Sequence, residues 1–133
     1  MKILALDFGE KRIGIAVGDS EIGVANARAF LVNDGDALEN LRELAERERV
    51  EKILLGLPLG LNGETEQTKS ARAFAKKLDA KIAVPIEFID ERFTSKIAAA
   101  NLRSAGENSR AQKTLVDSES ARVLLQEHFD KNS

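Results

Sequence analysis

No cysteine occurs in the chain, so disulfides and thiolate metal sites are excluded. There is one histidine, His128, too few for a zinc cluster. Tyrosine and tryptophan are absent and phenylalanine occurs only 6 times, which leaves no aromatic platform for stacking bases. No apolar run is long enough to span a bilayer, and the N-terminus shows no signal-peptide pattern, since the short run ILAL meets charge at once. Neither sign of charge dominates: 20 basic against 22 acidic residues leave a net charge of −2. Overall charge therefore does not announce nucleic-acid binding, although a local basic patch is compatible with it. These absences point to a soluble cytoplasmic protein with no membrane partner. What is present is a chain of 133 residues, 43% hydrophobic, enough for one packed domain over 1–133.

The stretch ILALDFGEKRIGIAVGD, residues 3–19, sets the problem. An apolar run carries a carboxylate, Asp7, and then turns at Gly9. A buried unpaired carboxylate costs about several kcal/mol, so a hydrogen-bond network, a cation or a metal has to compensate. Residues 2–8 and 12–18 read as strands joined by the short, glycine-led GEK, which suits a hairpin; 24–32 reads as a third strand. NDGDALENLRELAERERV is helical by the recurrence of Leu38, Leu41, Leu44 and Ala45, with Asn33 or Asp34 to cap it. KILLGLP, 52–58, is a short continuous apolar run ended by Gly and Pro, the pattern of a buried parallel strand. Residues 65–79 return to helix, PIEFID (85–90) is a strand, and Thr94 caps a helix through Arg103 stopped by Gly106. GENSR reads as a polar loop before a last helix over 111–129. The order predicts an α/β fold: a mixed five-stranded sheet, an antiparallel meander of three strands followed by two parallel strands, with helices on both faces.

Strand alternation puts Ile3, Ala5 and Asp7 on one face, with Asp7 last, at the carboxyl end where open α/β sheets bind ligands. PIEFID leads into two acids, Asp90 and Glu91, at what is then the same edge. Asp117 precedes Ala121 and Leu124 by four and seven residues, near the inward face of the last helix. Convergent carboxylates without Cys or a His cluster suit a hard cation held by oxygens, Mg2+ or Mn2+, which can activate water for phosphodiester cleavage. Arg92, Lys96, Arg110 and Lys113 stand near these acids in sequence and can contact phosphates. Each piece also has a plainer role. Asp7 can organise the hairpin, Asp90 can pair with Arg92 or cap a helix, and Asp117 can pair with Lys113 one turn before it. His128 near the C-terminus meets the helix dipole, and ERERVEK reads as solvated surface. Only the joint placement of the acids lifts the functional reading above these.

Four stretches in order, LALDFGEKRIGIAVGD, LLGLPLGLNGE, IDERFTS and KTLVDSESARVLLQEHF, resemble the motifs of the YqgF family, also called RuvX, within the RNase H-like superfamily. The resemblance covers nearly the whole chain. It implies an RNase H-like fold and a divalent-metal nuclease associated with processing the 5′ end of pre-16S ribosomal RNA. The family's older name, Holliday junction resolvase, rests on similarity to the RuvC resolvases. Carried over by motif, Asp7 is the first metal ligand, Asp90 or Glu91 the second and Asp117 the third, with Asp7, Glu91 and Asp117 as the catalytic set. RuvC-type enzymes carry an acid at the end of the fourth strand, where this chain has LGLP. Ser120 stands where the family usually has Ala.

The implied partner is nucleic acid, either structured RNA or branched DNA, bound by a monomer or a homodimer. A junction resolvase needs two active sites, so a dimer favours that substrate. Two other readings compete. DFGEKRIGIAV also resembles the phosphate-binding hairpin of actin and sugar-kinase ATPases, which need two such domains. A non-catalytic RNA- or protein-binding factor of ribosome biogenesis can keep the fold without turnover.

Overall fold

RIGIAVGD alternates large and small residues, and that alternation decides what packs on each side of the sheet. The computed structural model describes residues 1–60, 63–90 and 109–132, with 109–117 as backbone only. In it β1 (Lys2–Phe8), β2 (Arg12–Asp19) and β3 (Val24–Val32) form the antiparallel meander. Helix α1 (Ala37–Arg47) leads to β4 (Lys52–Leu57), and α2 (Glu66–Lys81) leads to β7 (Ile86–Asp90). Between them, β5 (Leu59–Gly60) and β6 (Gly63–Glu64) form a separate two-stranded hairpin. The last helix, α3, runs Ser109–Lys131. The sheet order is β3-β2-β1-β4-β7, with β4 parallel to β1 and β7 parallel to β4, as expected from the two helical crossovers.

Ile13, Ile15 and Val17 of β2 join Leu4, Leu6, Ile53 and Leu55 in a core closed by Leu41 and Leu44 of α1 and Phe74 and Leu78 of α2. The opposite face of β2 carries Gly14, Ala16 and Gly18. There α3 lies close, and Ala121, Leu124, Leu125 and Phe129 pack on Ile3, Ala5, Ala16 and Leu54. Two cores on the two faces of one sheet make the sandwich. Among the described residues no helix is long and apolar enough to cross a membrane.

Some boundaries differ from the sequence expectation. Asn33 and Asp34 do not cap α1. The helix starts at Ala37 with Asp36 at the cap position and no side-chain cap bond. Asn33 Nδ2 instead donates to Gly9 O at 2.8 Å, and Asp34 Oδ1 accepts from Asp36 N at 2.9 Å, forming a turn ahead of the helix. Ser109 and Arg110 of GENSR belong to α3 rather than to a loop, and the helix continues to Lys131 because Phe129 is buried against the sheet. The expected helix from Thr94 through Arg103 and its stop at Gly106 lie outside the described residues.

Candidate active site

Asp7 is the last residue but one of the central strand, half-buried, on the face that Ile3 and Ala5 share with α3. Its register partner on β2 is Gly14 and on β4 Gly56. Neither neighbouring strand therefore sets a side chain beside the carboxylate on this face. Because β1, β4 and β7 are parallel, their carboxyl ends share one edge, which also holds Gly56, Leu57 and Asp90.

Helix α3 brings Asp117 toward that edge. Ser118 Oγ, fully buried, lies 3.5 Å from Ile15 N, the residue next to Gly14. Further along, Gln126 accepts from Ala25 N at 3.0 Å and donates to Gly23 O at 2.8 Å. Phe129 covers Gly18. The helix thus runs alongside β2 in the same direction, from Gly14 to Gly18, and its earlier turns stand at the Asp7 end. Asp117 immediately precedes Ser118. Ser120, the departure from the family pattern, is completely buried.

Strand alternation sets the way Asp90 faces. Ile86 packs on the α1–α2 core and Ile89 on the α3 core, so Asp90, in phase with Ile86, faces away from Asp7. Glu91, Arg92 and Lys96 lie outside the described residues, and Arg110 and Lys113 are described only as positions on α3. Among the described residues no group of three or more His, Cys, Asp or Glu side chains is placed to hold a metal. The carboxylate oxygens offered by Asp7 and by the nearby segments are the donor type that fits a hard divalent cation.

Two features of this edge carry no periodic signal in the sequence. The first is the β5–β6 hairpin just past β4. Thr68 Oγ1 donates to Pro58 O at 2.5 Å, and Arg72 holds both oxygens of Glu64, at 2.8 and 3.2 Å. The same guanidinium lies 5.3 Å from the centre of the Phe88 ring, which ties the hairpin to β7. The second is the β1–β2 turn, Gly9 to Lys11, with exposed Glu10 and Lys11. Its conspicuous signal was the glycine: a Cβ on Gly9 would stand 2.5 Å from Arg12 O.

Among the described residues, Glu87 on β7 and His128 on α3 have shifted pKa values. Lys52 Nζ is 2.7 Å from Glu87 Oε2 and holds that carboxyl below its usual range. Burial holds His128 below the usual imidazole value, the Lys52 charge adds to this, and Glu87 opposes it.

The model of the family RuvX, described as Holliday junction resolvase, matches residues 1–131. A protein of Anaeromyxobacter dehalogenans named "Putative pre-16S rRNA nuclease" is 38% identical over 136 residues, covering 100% of this chain and 99% of that protein. One of the same name from Methylobacillus flagellatus is 35% identical over 133 residues, covering 96% and 90%. Among solved structures, Thermus thermophilus RuvC in complex with a Holliday junction substrate superposes with a TM-score of 0.62 at 18% identity, over 99% of this chain and 96% of that one. That likeness is one of fold, the RNase H-like sheet with its helices.

Proposed function

The chain belongs to the RuvX family, and from that premise we propose that it is a divalent-metal-dependent endonuclease that processes the 5′ end of pre-16S ribosomal RNA in the bacterial cytoplasm. The observation that carries the reading is the direction of α3. Ser118 at Ile15 and Phe129 at Gly18 orient the helix so that Asp117 approaches the strand end bearing Asp7. Two acids from segments 110 residues apart in sequence then serve one edge. The third is Glu91, since Asp90 faces the other side of the sheet.

In this reading Asp7, Glu91 and Asp117 hold Mg2+ or Mn2+. The bound ion supplies an activated water and charge stabilisation at the leaving oxygen. Gly14 and Gly56 leave the face beside Asp7 open to a phosphodiester. Arg92, Lys96, Arg110 and Lys113 supply cationic contacts to the backbone, which position the strand without reading its sequence. The single domain spans 1–133.

The family description favours a second substrate, the four-way DNA junction, cut by a dimer that offers two sites. One experiment separates the readings. Matched pre-16S rRNA fragments and four-way junctions are incubated with the protein in magnesium and in chelator, beside Asp7→Asn. Cleavage of the RNA in magnesium alone, lost in Asp7→Asn, is the expected result. Cleavage confined to junctions transfers the activity to DNA. Full cleavage by Asp7→Asn removes this residue from the mechanism, and no cleavage of either substrate by the wild type leaves a binding protein.

A further inference from the structure

The turn that follows Asp7 is fastened more firmly than a hairpin connection requires. Asn33, just past the end of β3, donates twice to it: its N–H to Lys11 O at 2.9 Å and its Nδ2 to Gly9 O at 2.8 Å. The two bonds bracket the three residues between β1 and β2. Gly9 backs closely onto Arg12 O, leaving no room for a Cβ. Arg12 in turn lies 5.5 Å from the centre of the Phe30 ring on β3. The turn therefore stays where β1 leaves it, beyond the carboxyl end and two residues from Asp7.

On this fixed backbone stands Lys11, exposed and in no ion pair among the described residues. The lysines seen paired with a carboxylate among the described residues lie elsewhere: Lys2 at Glu48, Lys52 at Glu87, Lys69 at Glu66 and Lys81 at Glu39. We infer that Lys11 contacts a backbone phosphate of the bound nucleic acid, and that Asn33 is the positioning residue that holds its turn against the site. The inference rests on the nuclease reading and adds a contact to it. A cation whose backbone is already fixed loses less freedom on binding than one on a loose loop.

The test is binding of two labelled probes, a pre-16S rRNA fragment and a four-way DNA junction, by fluorescence anisotropy across a salt series in chelator. The proteins are wild type, Lys11→Gln, Asn33→Ala and the double variant. For the probe that the wild type binds, Lys11→Gln is expected to weaken affinity several-fold and to make the slope of log affinity against log salt shallower by about one. Asn33→Ala, which keeps the backbone donor, is expected to give part of that loss and none in addition to Lys11→Gln. An unchanged slope in Lys11→Gln overturns the contact while leaving the nuclease reading intact. Additive losses overturn the positioning role, and so does an Asn33→Ala that melts lower but binds as wild type. A wild type that binds neither probe overturns the nuclease reading and this inference together.

Discussion

Gly18 on β2 and Phe129 on α3 meet where a side chain on residue 18 would stand. A Cβ there would lie 2.8 Å from Phe129 Cε2 and 2.6 Å from Val24 O. The ring can turn aside, but the carbonyl belongs to the neighbouring strand. Gly18→Ala is therefore expected to cost about 1–3 kcal/mol as an overpacked site. Thermal unfolding should show a fall of several degrees. A melting temperature equal to wild type would mean that the Val24 carbonyl does not approach Gly18 this closely.

The end of α1 offers the opposite kind of change. Arg49 has φ 55, while Val50 N bonds to Ala45 O at 2.9 Å and Arg49 N to Glu46 O at 3.2 Å, closing the helix through a left-handed residue. That conformation costs an L-residue about 1–2 kcal/mol, and glycine escapes it at some loss through its freer unfolded chain. Arg49→Gly should raise stability by about 0.5–1 kcal/mol, read from the urea midpoint at unchanged m. A lowered midpoint would indicate that the arginine side chain contributes more than its backbone strain removes.

Acid should destabilise the fold in two stages. His128 has its folded pKa below the ordinary 6.5, chiefly through burial. As pH falls through that value the unfolded chain takes up the proton first, so stability drops until the folded pKa is passed. Glu87, held below the ordinary 4.5 by Lys52, adds a second loss below that pH with the same sign. His128→Gln is expected to flatten the upper part of the profile and leave the lower part. Urea midpoints measured on both proteins across the two windows decide it, and identical upper profiles would exclude the imidazole as the cause.

Magnesium should stabilise the wild type by mass action, because a folded ligand set binds it and an unfolded chain does not. Asp7→Asn is expected to fold, to gain nothing from millimolar magnesium, and to lose cleavage by more than about a hundredfold, since even an outer-shell partner of a metal ligand is worth 10–100-fold. Without metal it should melt no lower than wild type, because a like charge has left the site. Equal magnesium shifts in the two proteins would assign the ion to other residues.

Most of the sheet was legible because its strands are long enough for pattern to act. β1, β2 and β4 are apolar runs bounded by turn residues, and helical crossovers leave β4 and β7 parallel to β1. The face and edge of Asp7 followed from that pattern. The way Asp90 faces did not, because adjacent residues on a strand exchange faces and only the packing of Ile86 and Ile89 sets the phase. The β5–β6 hairpin leaves no trace in the pattern because two-residue strands have no period to read. Asn33 reads as one of two candidate helix caps because a short amide serves a turn or a cap equally well, and the distant Gly9 carbonyl decides between them. Residues 91–108, which include the remaining expected ligand, lie outside this comparison.

β1 has a paired strand on each side, and each of those is paired again. Its amides can exchange with solvent hydrogen only when two ladders part, an opening that approaches unfolding of the whole domain. The backbone around Asp7 should therefore be among the slowest to exchange, well behind that of the outer strand β3. A carboxylate mounted there keeps its geometry through the local fraying that edges and termini undergo. What adjusts to an incoming strand of nucleic acid must then be the nucleic acid and the long side chains that meet it, not the strand that bears the acid.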